Sequence, residues 1–124
     1  MSNSSSFNVV APGAFNINYG DGTGADGDYF TDVFTIGSTT LKTLTMGLAT
    51  DTDIAYGLVG VGYPANEAID PKFVNSTGIY PNLPQELVSE GIISTVAYSL
   101  WLNDLGMLHF PPSFLRIVFS LTSN

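Results

Sequence analysis

Phe15-Asn-Ile-Asn-Tyr-Gly-Asp-Gly-Thr23 decides how this chain folds. Apolar Phe15, Ile17 and Tyr19 alternate with Asn16 and Asn18, the period of two that sets one face of a strand on a core and the other in water. Four glycines follow closely, Gly20, Gly22, Gly24 and Gly27, and then a β-rich run from Tyr29 to Ile36. Together they predict a β-hairpin with a mobile, glycine-rich tip and one aromatic ring, Tyr19, just below it. A hairpin of that kind is able to fold down over an extended ligand.

Outward from the hairpin, turn residues recur about every ten positions among Thr, Val, Ile, Phe and Tyr, which argues for short strands. Val9-Val10 opens one, closed by Pro12-Gly13. Leu41 to Leu48 forms another after the Gly37-Ser38 turn, and Asp51-Thr52-Asp53 breaks it. In Tyr56-Gly-Leu-Val-Gly-Val-Gly-Tyr63, apolar residues interleave with three glycines. This predicts a buried strand against which another backbone passes closely. One helix is expected near residues 83–90. Asn82 suits its N-cap, Pro84 its first turn, Glu86 its positive end and Gly91 its C′ position, with Leu83, Leu87 and Val88 as the apolar stripe. Thr95 to Leu102 returns to strand character.

The fold class expected is therefore mostly β with one short helix. Residues 1–104 read as one partial domain. The hydrophobic tail 105–124 reads as an end foreign to it, with a terminal core strand as the alternative. That tail carries His109, Pro111-Pro112 and Arg116, the sole His and sole Arg of the chain.

Composition narrows function. At 124 residues the chain suits one domain, and 44% hydrophobic content excludes wholesale disorder. Lys42, Lys72 and Arg116 face eleven acids for a formal charge of -8, so no nucleic-acid partner is expected, for want of a phosphate-neutralising surface. With no cysteine and one histidine, neither a disulfide framework nor a thiolate or histidine metal cluster is available, and no metal or cofactor is expected. Asn3-Ser-Ser and Asn75-Ser-Thr are acceptor triplets for N-glycans in a secreted setting. The chain opens on a polar run without the apolar core of a signal peptide. Phe114 to Leu121 is interrupted by Arg116 and falls short of the ~20 residues of a membrane span.

Chemical motifs fail on inspection. Gly22-Thr-Gly24-Ala-Asp-Gly27 matches the dinucleotide pattern G-x-G-x-x-G, but a strand follows where a phosphate-binding helix is required. No kinase catalytic motif accompanies Lys42. The acidic run Asp21 to Asp28 lacks the ligand spacing of an EF-hand and reads as a solvent-facing turn. His109 has no Gly-x-Ser-x-Gly elbow to serve.

Taken in order, the segments resemble the pepsin-like aspartic endopeptidases, in particular the fungal secreted, candidapepsin-like branch. Phe15 to Thr23 looks like the active-site flap, where a tyrosine precedes Gly-x-Gly at a hairpin tip. Tyr29 to Gly37 is similar to the strand after it. Gly57-Leu-Val-Gly-Val-Gly-Tyr63 looks like the hydrophobic-hydrophobic-Gly element below the catalytic loop. Tyr80-Pro-Asn-Leu-Pro, Glu90-Gly-Ile-Ile and Ala97 to Asn103 are similar to the helix and strand that follow. The likeness covers about residues 4 to 104.

The resemblance implies a β-rich N-terminal lobe and peptide or protein substrates. It also implies secretion and hydrolysis by two carboxylates that share a proton and activate a water. Like charges ~3 Å apart cannot both ionise, and this family is itself the usual illustration of that effect. Each carboxylate sits in an Asp-Thr/Ser-Gly motif, and this sequence contains neither; Asp21-Gly-Thr has the wrong order and Asp51-Thr52-Asp53 lacks the glycine. No catalytic residue is therefore assigned, and the chain alone is expected to be inactive. What carries over is binding. Tyr19 would close over the substrate, Gly20 and Asp21 would hydrogen-bond its backbone, and Leu58 would line the pocket beside the cleavage point. The alternatives are a non-catalytic peptide-binding module and a purely structural β-domain.

Overall fold

The computed structural model describes residues 4–66, 80–102 and 115–118. Asn3, Asn75, Lys72 and His109 fall outside them. Three long strands come first: β1 (Asn8–Asn18), β2 (Gly24–Ile36) and β3 (Thr39–Thr52). They form one antiparallel sheet in the order β1-β2-β3. A 3-10 turn, Pro64–Asn66, follows, and then, among the described residues, one helix, α1 (Leu83–Ser89). A second antiparallel pair joins β4 (Ser99–Leu102) to β5 (Leu115–Val118). Part of the tail is thus a strand paired with β4. The mostly β class with one short helix is what the sequence predicts.

The strands run longer than their apolar patterns. Val9-Val10 does not end at Pro12-Gly13. The chain passes through a register shift between Ala11 and Phe15 and continues to Asn18. Gly13 takes a φ of 68° there, and its N–H donates to Asp28 Oδ1 at 2.7 Å. The carboxylate satisfies a donor that the bulge turns away from the ladder. Asp51 and Thr52 also stay in β3, which ends one residue before Asp53.

Two expected strands are corrected. Tyr56 to Tyr63 forms no strand and is not buried: Tyr56 is 73% exposed, Leu58 55%, Val59 53% and Tyr63 81%. An apolar, glycine-spaced run becomes a buried strand only when a neighbouring backbone accepts its hydrogen bonds, and no described strand does so. Thr95 to Tyr98 is likewise outside β4, with Val96 and Tyr98 exposed.

The core sits on one face of the sheet. Leu41 and Leu44 of β3 meet Leu83 and Leu87 of α1 and Ile93 beyond it, with Phe34, Met46, Val88 and Ile92 around them. Each fully buried leucine contributes about 1.5–3 kcal/mol over leaving it in water. A second focus is aromatic. Tyr29, 1% exposed, meets Phe15 edge-on at 5.4 Å between centroids and Tyr80 at 5.3 Å, which ties the stretch before α1 to the hairpin.

The helix follows its caps. Asn82 Oδ1 accepts the Gln85 N–H, and Pro84 fills an early position where no N–H is needed. At the other end Ile92 N–H donates to Leu87 O and Gly91 N–H to Val88 O, with Gly91 at φ 71°. This is the Schellman closure, which only glycine enters without steric cost. Glu90 Oε1 then accepts the Lys42 N–H at 2.7 Å and fastens the helix end to β3.

Candidate functional site at the hairpin tip

The last register pairs of the hairpin are Ile17 with Ala25 and Asn18 with Gly24. Tyr19 to Thr23 closes it. Tyr19 N–H donates to Thr23 O at 2.8 Å and Gly22 N–H to Tyr19 O at 3.0 Å, while Gly22 holds a φ of 87°. These are the bonds of a three-residue hairpin loop with its left-handed position on glycine. Gly20, Asp21 and Gly22 are exposed and Tyr19 is half-buried. The ring therefore stands at the base of the turn without entering the core.

The tip is shorter and better braced than a run of four glycines suggests. Gly24 and Gly27 belong to β2. A Cβ on Gly24 would lie 2.9 Å from Ile17 O, and one on Gly27 would lie 2.0 Å from Leu48 O. These two glycines serve close backbone approach rather than mobility. Within the turn, Asp21 Oδ1 accepts both the Thr23 N–H at 3.0 Å and the Thr23 hydroxyl at 2.7 Å. The Thr23 hydroxyl, then its N–H, holds the Asp21 carboxyl below its ordinary range. Thr23 is the residue that sequence reasoning missed. Its signal was present, because an Asp two residues before a Thr in a glycine turn is an Asx-turn pattern.

Below the tip, Asn16 Nδ2 donates to Asp26 Oδ1 across the hairpin. Farther down, Asp32 Oδ1 accepts the hydroxyls of Ser4 and Ser6 and the Val33 N–H, tying the leading residues to β2. Those bonds, the Ser6 hydroxyl foremost and then that of Ser4, lower the Asp32 carboxyl. On α1 the sign reverses: partial burial, and secondarily the charge of Glu90, raises Glu86.

Tyr19, Gly20 and Asp21 thus share one turn, as the sequence predicts. Leu58 lies in a separate, exposed stretch rather than in a buried strand. Among the described residues no three His, Cys, Asp or Glu side chains converge to hold a metal ion. No helix among them is long and apolar enough to cross a membrane.

Residues 8–36 thus form a long hairpin that ends in a tight turn with a half-buried tyrosine at its base. The family model for eukaryotic aspartyl protease matches residues 1–110, and the chain belongs to that family. It is 47% identical over 102 residues to a probable aspartic-type endopeptidase opsB of Aspergillus fumigatus, covering 82% of this chain and 21% of the relative. Barrierpepsin of Saccharomyces cerevisiae is 39% identical, with 81% of this chain and 17% of the relative covered. For candidapepsin-3 of Candida albicans the figures are 38%, 82% and 23%. The chain spans about a fifth of the length of these relatives.

Proposed function

We propose that this chain is the flap-bearing part of the N-terminal lobe of an aspartic endopeptidase. It takes part in peptide-bond hydrolysis by covering the substrate, and the acid pair comes from sequence this chain does not contain. One observation carries the reading: residues 15–36 form a hairpin whose exposed Gly20-Asp21-Gly22 tip is locked by Thr23, with Tyr19 half-buried at its base.

Tyr19 closes over the scissile bond of an extended peptide and shields it from bulk solvent. The exposed backbone at Gly20 and Asp21 hydrogen-bonds the peptide main chain. Leu58, apolar and exposed, lines the pocket beside the cleavage point. The ligand is a peptide or protein rather than a nucleic acid, since -8 of formal charge repels phosphate. The whole protein is secreted, with Asn3 and Asn75 as glycan acceptors.

The purified 124-residue chain, incubated with a quenched-fluorescent peptide from acid to neutral pH, is expected to give no turnover. Acid-dependent cleavage that survives repurification would overturn the assignment of the acid pair to absent sequence.

A further inference from the structure

We propose that Asn82 is a positioning residue, which holds the Gly57–Tyr63 stretch, and Leu58 with it, in place by a side-chain bond separate from its capping of α1. Asn82 is 5% exposed. Its Oδ1 accepts the Gln85 N–H at 3.4 Å, and its Nδ2 donates to Gly62 O at 2.7 Å. One end of the amide faces a donor and the other an acceptor, so a single orientation satisfies both.

The residue type is itself informative. Ser, Thr and Asp cap helices about as well as Asn. None of them brings an N–H₂ donor, and an ionised Asp brings no donor at all. Capping alone therefore leaves the choice open, and the Gly62 carbonyl selects Asn. That carbonyl belongs to a stretch with no strand pairing, whose Leu58, Val59 and Tyr63 side chains stand more than half exposed. Packing does little to hold such a stretch, so a short, partly buried hydrogen bond to a capped helix governs where it lies. The helix is in turn fixed to the sheet through Leu83, Leu87 and the Glu90–Lys42 bond. Asn82 thereby links the stretch carrying Leu58 to the sheet whose hairpin turn carries Tyr19. The consequence for peptide binding rests on the function proposed above; the link itself does not.

Asn82→Asp separates the two roles, because it keeps the capping oxygen and replaces the donor. ¹⁵N relaxation of the 124-residue chain near neutral pH should show order parameters at residues 60–63 falling from the rigid range, about 0.85, towards the flexible range, below about 0.6. Residues 83–89 should stay unchanged. On acidification through the ordinary carboxyl range, near 4, the protonated Asp gains an O–H able to reach Gly62 O, and the loss should reverse. Asn82→Ser, which caps but has no titratable donor, should show the loss at both pH values and serves equally if the Asp variant fails to fold. Order parameters at 60–63 that match the parent chain, or a loss shared equally by 83–89, would overturn the proposal. Neither readout involves a peptide, so failure here leaves the flap reading standing, and failure of the flap reading leaves this one standing.

Discussion

Gly27 lies directly against the main chain of Leu48: a Cβ at Gly27 would sit 2.0 Å from the Leu48 carbonyl oxygen and 3.0 Å from Thr50 N. Both neighbours are backbone of the adjoining strand, so no side chain can swing aside. Gly27 also sits at the register shift where β2 passes from Asp51 to Ala49. The closeness of β2 and β3 at the root of the hairpin depends on this missing side chain.

Gly27→Ala should therefore cost about 1–3 kcal/mol, the usual range for overpacking. Gly20→Ala, where nothing lies within 4 Å and φ is not positive, should stay within about 0.5 kcal/mol. Urea unfolding of both variants checks the contrast. Equal effects would mean that the β2–β3 approach is looser than described.

The turn itself should respond to Gly22 and Thr23. Gly22→Ala places a Cβ at φ 87° and should cost about 1–2 kcal/mol of hairpin stability. Thr23→Val removes the hydroxyl donor and leaves the N–H, so the Asp21 carboxyl should titrate higher than in the parent chain. A carboxyl ¹³C titration reads that shift, and an unmoved midpoint would show that the Asp21–Thr23 brace does not persist in solution.

Stability should depend on pH in two opposed ways. Asp32 is lowered in the fold, so its contribution is present above its unfolded-state value and is lost as pH falls through the folded one. Ser6→Ala should then lower the melting temperature near pH 7 and have little effect near pH 2. Glu86 is raised, so its contribution is present below its unfolded-state value and is lost as pH rises through the folded one. Glu86→Gln should raise the melting temperature near pH 7 and leave it unchanged near pH 3. Melting curves by circular dichroism at these pH values check both signs.

How much of this was legible in the sequence varies by element, for physical reasons. Phe15-Asn-Ile-Asn-Tyr19 showed its strand because one face is apolar, and α1 showed itself because each terminus carries its own cap. Gly24 and Gly27 misled, since glycine marks both a flexible tip and a close backbone contact, and only the paired strand distinguishes them. Gly57 to Tyr63 misled differently. Its apolar pattern states what the segment needs, but a strand forms only against a partner. Asn82 was readable as a cap, whereas its bond to Gly62 spans twenty residues and leaves no local pattern.

The central claim is that this hairpin is a protease flap. The most direct measurement replaces the matching segment of candidapepsin-3 with residues 4–102 of this chain and compares Tyr19, Tyr19→Phe and Tyr19→Ala forms by kcat/KM on one peptide. The account predicts that the Tyr19 chimera cleaves, that Phe retains part of the activity, and that Ala loses at least about tenfold, roughly 1.4 kcal/mol of transition-state stabilisation. A folded chimera whose Tyr19→Ala form cleaves as fast as its parent would contradict it.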